Sequence, residues 1–223
     1  MSKNMTVEKT FASAIQNHQK NNFKAAEDLY NQILEIDPNH IKTIFFLGTL
    51  SVQTKNFDRA KQMLQKTIQA QPNNVDAYNN LGVVFKEFEE FQKAKDCFEK
   101  VIQIQPKHVD ALNNLGNVFK QLNEPQKAIN YYQKAIEIEP SYINAHQNLM
   151  DVCEKTNQIT ELKDAVSNAR TFFKDNSIIK LYEGILLSRN EKFVEAKNCL
   201  ELISFETNET NKEILRVSTL AKC

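Results

Sequence analysis

Apolar side chains in this chain recur at alternating intervals of three and four. Between residues 75 and 108 the run Tyr78, Leu81, Phe85 and Phe88 is followed, at the same spacing, by Phe91, Ala94, Phe98 and Val101. A stripe of that period lies on one face of an α-helix, so the segment predicts two amphipathic helices joined by a short turn. Proline marks where such pairs end. Pro38, Pro72, Pro106 and Pro140 stand 34 residues apart. Proline cannot continue a helix and biases its predecessor away from helical dihedrals, so Asp37, Gln71, Gln105 and Glu139 are predicted to close each second helix. Pro125, within Asn123-Glu124-Pro125-Gln126, is out of phase and suits the first turn of a second helix.

Glycine keeps the same stride. Gly48, Gly82 and Gly116 are 34 apart, and Gly184 lies two periods further on. Four glycines share one phase by chance about once in 40,000 trials. The period divides the chain into units 7–40, 41–74, 75–108, 109–142, 143–176 and 177–210, leaving 1–6 as an N-terminal tail and 211–223 as a remnant. Glycine inside a helix costs about 1 kcal/mol relative to alanine, so its regular use there implies a close approach of two backbones. Ala26, Ala60, Ala94, Ala128 and Ala196 share a slot of the second helix, and Tyr30, Leu64, Phe98, Tyr132 and Leu200 fill a neighbouring one. Small then faces large, as interdigitation requires. One hairpin cannot bury its own apolar face, so the hairpins are predicted to stack.

The unit length, the Leu81-Gly82 and Leu115-Gly116 pairs, the alanine and aromatic slots and the terminal proline together resemble tetratricopeptide repeats. The resemblance covers 7–210 and is strongest in 75–108 and 109–142. It implies an all-α, right-handed superhelical solenoid of six helix-turn-helix units, whose first helices line a concave groove that binds extended peptides or partner helices. Some units depart from the pattern. Ala14 takes the glycine slot in the first; Met150, Leu162 and Lys174 take the glycine, alanine and proline slots in the fifth; Asn208 replaces proline in the sixth. Less regular packing is expected there.

Composition narrows the function. The chain has 223 residues, 41% hydrophobic, and only four glycines and five prolines, too few for a hairpin-rich β protein. Lys+Arg and Asp+Glu are both 28, so no global field draws in nucleic acid or a membrane surface, and neither is expected as a partner. Residues 1–10 are polar and no run approaches a membrane span, which predicts a soluble, cytoplasmic protein. Cys97, Cys153, Cys199 and Cys223 are too far apart for a CxxC motif and are expected to be reduced thiols. His18, His40, His108 and His146 are spread over four units, and the end-of-unit position of His40 and His108 suits a polar turn residue. The Glu89-Glu90 and Glu137/Glu139 pairs suit solvated helix ends. No catalytic, metal or cofactor site is expected.

A recognition surface is easier to find. Asn80, Asn114 and Asn148 are 34 apart, each directly before a core leucine. A carboxamide offers two donors and an acceptor, so it can pair with peptide N–H and C=O groups without reading side chains. Packed helices lie about 8–10 Å apart and an extended chain advances about 3.4 Å per residue, so successive rungs would meet a ligand about every third residue. Asn79, Asn113 and Gln147 precede the rungs, and Asn117 lies one turn beyond Asn113. The ladder is similar to that in the superhelix of O-linked N-acetylglucosamine transferase, which holds substrate polypeptides. The competing explanation is an inherited repeat consensus in an asparagine-rich chain, with solvated amides. Capture of a chaperone C-terminus is disfavoured, because Asn113 and Asn117 stand where that use needs Lys and Asn, and Asn148, Ile178 and Tyr182 follow without the further basic residues.

The groove ends are apolar: Phe11, Ile15, Phe45 and Phe46 near the start, Ile178, Leu181 and Ile185 near the end. These side chains suit either core or contact with a hydrophobic ligand segment or a second copy of the chain. In 211–223, Ile214, Val217 and Ala221 repeat first-helix spacing, which fits either a capping helix or the start of a seventh unit. The reading is a protein-interaction scaffold. Its alternative is the substrate-recognition region of a longer glycosyltransferase or sulfotransferase, and an RNA-binding helical repeat is a distant third.

Overall fold

The computed structural model describes residues 2–201, and every regular element among them is an α-helix. The first helices of the hairpins are α1 (Ser2–Gln19), α3 (Ile41–Gln53), α5 (Val75–Glu87), α7 (Val109–Gln121), α9 (Ile143–Lys155) and α11 (Ser177–Arg189). The second helices are α2 (Phe23–Ile36), α4 (Phe57–Ala70), α6 (Phe91–Ile104), α8 (Pro125–Ile138), α10 (Ile159–Phe172) and α12 (Phe193–Glu201). Each second helix begins 34 residues after the last, and so does each first helix from α3 onward. α1 takes in residues 2–6, which the repeat frame leaves outside the first unit. The remnant 211–223, Asn208 and the Leu200 side chain lie outside the described residues. Two compact units divide within α7, one ending at Val118 and the other starting at Phe119.

The second helices end where proline predicts. Asp37, Gln71, Gln105 and Glu139 are the C-caps of α2, α4, α6 and α8, their N–H groups still bonded to the carbonyls of Ile33, Thr67, Val101 and Ala135. α10 stops at the same slot with Lys174 in place of proline, and the Phe173 N–H bonds to the Ala169 carbonyl. Proline therefore reinforces an end that other interactions already set. Capping fixes the start of the next first helix: the Asn74 side chain accepts from the Ala77 N–H at 2.9 Å, and Asn176 from Ile178 at 3.0 Å. His40 and His108 do the same with Nδ1, accepting from the Thr43 and Ala111 N–H groups at 3.3 and 3.2 Å. Pro125 opens α8 in its first turn.

Within the hairpins, the turns share a device that the residue types did not reveal. Asn21, Lys55, Glu89, Asn123, Asn157 and Glu191, again 34 apart, all have φ between 56° and 60°. After each, the next N–H reaches back five residues to a carbonyl at 2.8–3.0 Å, as Glu90 does to Phe85 and Gln158 to Cys153. This is the Schellman closure, in which one left-handed residue lets the backbone satisfy the last carbonyls of the helix. None of the six is glycine.

The hairpin cores follow the small-against-large rule. Ala26, Ala60, Ala94, Ala128 and Ala196 are fully buried, as are Tyr30, Leu64, Phe98 and Tyr132. A Cβ on Gly82 would stand 2.6 Å from the Phe98 ring; on Gly48 it would meet Met63 and Leu64 at 3.1–3.3 Å. In the fifth hairpin the sizes are redistributed. Met150 and Leu162 fill the glycine and alanine slots fully buried, while the large slot holds the smaller Val166. The hairpin forms with large residues in both small slots, a gain in volume that the smaller Val166 offsets only in part.

Two outcomes follow from this packing. Gly82→Ala is expected to destabilise the chain by about 1–2 kcal/mol despite the better helix propensity of alanine, and Gly48→Ala by much less. Phe98→Leu should lessen the penalty of Gly82→Ala in a double-mutant cycle read by urea unfolding. At the turns, Glu89→Gly removes a left-handed L-residue and should raise stability by about 0.5–1 kcal/mol, net of the extra freedom glycine gives the unfolded chain. Asn123→Gly should gain less, because asparagine tolerates that conformation, and thermal melts of the two variants test the order.

Candidate peptide-binding site

In the unit ending at Val118, Asn80 and Asn114 are the sixth residues of α5 and α7, and both are half-buried. Their slot is fixed by the shared helix starts, since Val75 and Val109 open the two helices. Asn80 is tied to the preceding hairpin: its Nδ2 donates to Thr49 Oγ1 on α3 at 3.2 Å. That bond orients the amide and engages one donor; the Asn80 oxygen makes no hydrogen bond among the described residues. Asn79, beside it, has a buried Oδ1 without a hydrogen-bond partner. Asn113 is buried and Asn117 half-buried. Thr49 itself was not singled out in the sequence. A signal existed, because Thr49, Asn117 and Asp151 occupy one slot on successive first helices, interrupted by Val83.

The apolar candidates at the start of the chain join an aromatic cluster. Phe11 and Phe46 pack against the buried core of Ala14, Ala26, Tyr30, Leu47 and Leu50. The Phe11 ring lies 5.6 Å from both His40 and Phe46, and Phe45 stands edge-on to Phe46 at 5.2 Å. All three phenylalanines keep part of their surface exposed. His18, buried among these rings, bridges Tyr30 Oη at 3.2 Å and Gln53 Oε1 at 2.8 Å. Its place is structural.

In the unit starting at Phe119, Asn148 is the sixth residue of α9 and is half-buried, with Gln147 beside it. Leu181 on α11 is buried and Ile178 is half-buried. Charge enters on the first helices here: Asp151 takes Lys120 at 3.3 Å and Lys155 at 2.7 Å, and Arg189 pairs with Glu154 at 2.8 Å. His146 is fully buried against the Phe172 and Phe173 rings. Its Nε2 meets the Pro140 carbonyl at 2.9 Å, while Nδ1 has no partner. Burial holds this imidazole below the ordinary histidine range, and the Pro140 carbonyl opposes it only in part. The thiols are equally enclosed: burial pushes Cys97 up to about 12 and Cys153 to about 11, so neither is a reactive thiolate at neutral pH. Among the described residues no three His, Cys, Asp or Glu side chains gather as a metal site, and no helix is long and apolar enough to cross a membrane.

Repeated hairpins whose first helices carry amide, aromatic and charged slots define a helical-repeat scaffold of the protein-interaction class. Tetratricopeptide repeat profiles match 75–108 and 109–142, and a second tetratricopeptide profile matches 18–82; the chain belongs to the tetratricopeptide repeat family. No curated protein matches it by sequence. Among solved structures, MamA is 26% identical with a TM-score of 0.68, covering 76% of this chain and 92% of its own. PilF of Pseudomonas aeruginosa is 16% identical with a TM-score of 0.77, covering 97% of this chain and 100% of its own. YrrB, described as a TPR protein with an unusual peptide-binding site, is 18% identical with a TM-score of 0.62, covering 86% and 95%. The last two likenesses bear on the fold alone.

Burial of His146 has a consequence in solution. Its folded-state pKa lies below 6.5, the value of a solvated histidine, so unfolding takes up a proton once the pH falls below about 6.5. Stability supplied by the neutral imidazole is complete above that pH and declines on acidification until the folded-state pKa is reached. His146→Asn is expected to lower stability at pH 7.5 and to flatten the decline between pH 7 and 5.5, in urea titrations followed by circular dichroism.

Proposed function

We propose that the chain is an interaction scaffold that holds an extended peptide along its first helices, with the carboxamides of Asn80, Asn114 and Asn148 pairing with the peptide backbone. One observation carries the reading: the amide recurs as the sixth residue of α5, α7 and α9, and at Asn80 the bond to Thr49 orients it while leaving its oxygen unbonded. An amide held in place by one donor loses less freedom on pairing with a ligand than a solvated one does. Asn79, Asn113, Asn117 and Gln147 add polar groups beside the rungs. Phe11, Phe45, Ile178 and Leu181 belong to the apolar ends, where an apolar ligand side chain or a second copy of the chain would be received.

Backbone pairing favours tolerance of ligand sequence. The description of YrrB as having a peptide-binding site is consistent with this use of the fold. The transferase alternative draws no support from the neighbours, since the match takes in 92% or more of the MamA, PilF and YrrB chains.

Peptides selected from a random library on the intact chain provide the test. Changing Asn80, Asn114 and Asn148 together to Ala is expected to leave helicity and melting nearly unchanged. Affinity should weaken at least several-fold, because each lost pairing contributes about 0.5–1.5 kcal/mol. N-methylation of the peptide backbone should weaken binding similarly, while exchange of its side chains should matter less. Equal affinity of the triple variant and the parent chain removes the ladder from the mechanism.

A further inference from the structure

Side chains bridge from α4 back to the preceding hairpin, and the slots they occupy are filled differently on α10. Between α2 and α4, Arg59 reaches Glu27 and also donates to Asn31 Oδ1 at 2.9 Å, while Lys66 Nζ donates to the Pro38 carbonyl at 3.2 Å. Two bases thus bridge the seam. The following units keep a base in both slots, with Lys93 and Lys127 after Arg59 and Lys100 and Lys134 after Lys66. At α10 both are replaced, by Glu161 in the arginine slot and Asn168 in the lysine slot.

At this position the unit starting at Phe119 has a groove of about 530 Å³ between α8 and α10. Its apolar lining includes Ile136 and Leu149, both buried, and Phe172, which is 49% exposed. Glu137, Glu161 and Asp164 line it as well, and none of them has an ion-pair partner among the described residues. Bases nearby are engaged elsewhere: Lys134 lies over the Tyr131 ring at 5.2 Å, and Arg170 pairs with Glu183 at 3.3 Å. No lysine or arginine lines the groove.

We infer that this seam is a second docking site, taking a basic amphipathic segment of a partner protein: apolar side chains against Ile136, Leu149 and Phe172, and Lys or Arg against Glu137, Glu161 and Asp164. The chemistry of the occupant follows from the charge. Three carboxylates surround an apolar floor in a chain whose net charge is zero, and one of them, Glu161, stands where the earlier second helices carry Arg59, Lys93 and Lys127. Among the described residues no three such groups gather closely enough to hold one metal ion. Glu161 and Asp164 are a helical turn apart on α10 and Glu137 faces them from α8, so the cations must be distributed along a segment. Apolar anchors in a desolvated floor with charges at the rim are the usual division of labour in a protein interface.

The site is independent of the asparagine ladder, and the experiment separates them. The probe is a fluorescently labelled peptide of leucine and lysine placed at helical spacing, titrated by anisotropy, with a leucine and glutamate peptide of the same pattern as control. The intact chain is expected to bind the lysine peptide in preference to the glutamate one, more weakly as salt rises. Glu161→Arg combined with Asn168→Lys restores the bases of the other seams, so this variant should fold as well as the parent while losing affinity at least about tenfold. Phe172→Ala should lose several-fold, and the preference for the lysine peptide over the glutamate one should persist when Asn80, Asn114 and Asn148 are replaced by Ala, which removes any sequence-tolerant binding at the ladder. The inference is overturned if a folded Glu161→Arg, Asn168→Lys variant, verified by circular dichroism, binds the lysine peptide as tightly as the parent, or if the glutamate peptide binds equally well.

Discussion

The close approach of two helix backbones within a hairpin is the constraint from which the rest of the fold follows. Where Gly82 lies against the Phe98 ring there is no room for a methyl group, and the large side chain on one helix is admitted only because its partner carries none. The distance between the helices then sets which residues face inward, and the turn between them can be short. The fifth hairpin meets the constraint differently, without losing the period. Met150 and Leu162 are large where small residues are usual, and Val166, small where a ring is usual, makes up part of the difference.

Much of this was legible in the sequence, because glycine and proline leave few physical explanations for their regular recurrence. Pro38, Pro72, Pro106 and Pro140 located the helix ends to the residue, and Pro125 located a helix start. The left-handed turn residues were legible only in part: Asn21, Asn123 and Asn157 are of a type that tolerates the conformation, but Lys55, Glu89 and Glu191 share the backbone geometry without that side-chain chemistry. A pattern search sees identities, whereas the turn is closed by N–H and C=O groups that every one of these residues possesses. The role of His40 and His108 was half visible. Their position indicated a turn, while the use of Nδ1 as a cap depends on a ring orientation that only coordinates supply.

The candidate sites were legible to different degrees for a related reason. Asn80, Asn114 and Asn148 are identical residues at a constant interval, and identity is what a sequence displays. The Thr49 hydroxyl that orients Asn80 comes from another hairpin, and nothing in its own surroundings marks it. The groove between α8 and α10 is defined by departures from a slot pattern, with Glu161 and Asn168 standing where earlier units carry bases. Such a departure has meaning only when a base in that slot is known to bridge to the preceding hairpin, as Arg59 and Lys66 do. Binding surfaces in a repeat protein can thus arise from what one unit repeats or from what it fails to repeat.

The backbone closure of the six turns has a further consequence. Since the hydrogen bonds that close these corners run between main-chain atoms, the side chain of the left-handed residue is not needed for closure, and asparagine, lysine and glutamate already serve, with Asn157 also accepting from Arg189 of the next hairpin. Selection can therefore rewrite the charge of the corners without rebuilding the hairpins. Solubility, crowding behaviour and the avoidance of unwanted neighbours can be adjusted there, at positions structurally uncoupled from whatever the chain is kept to recognise.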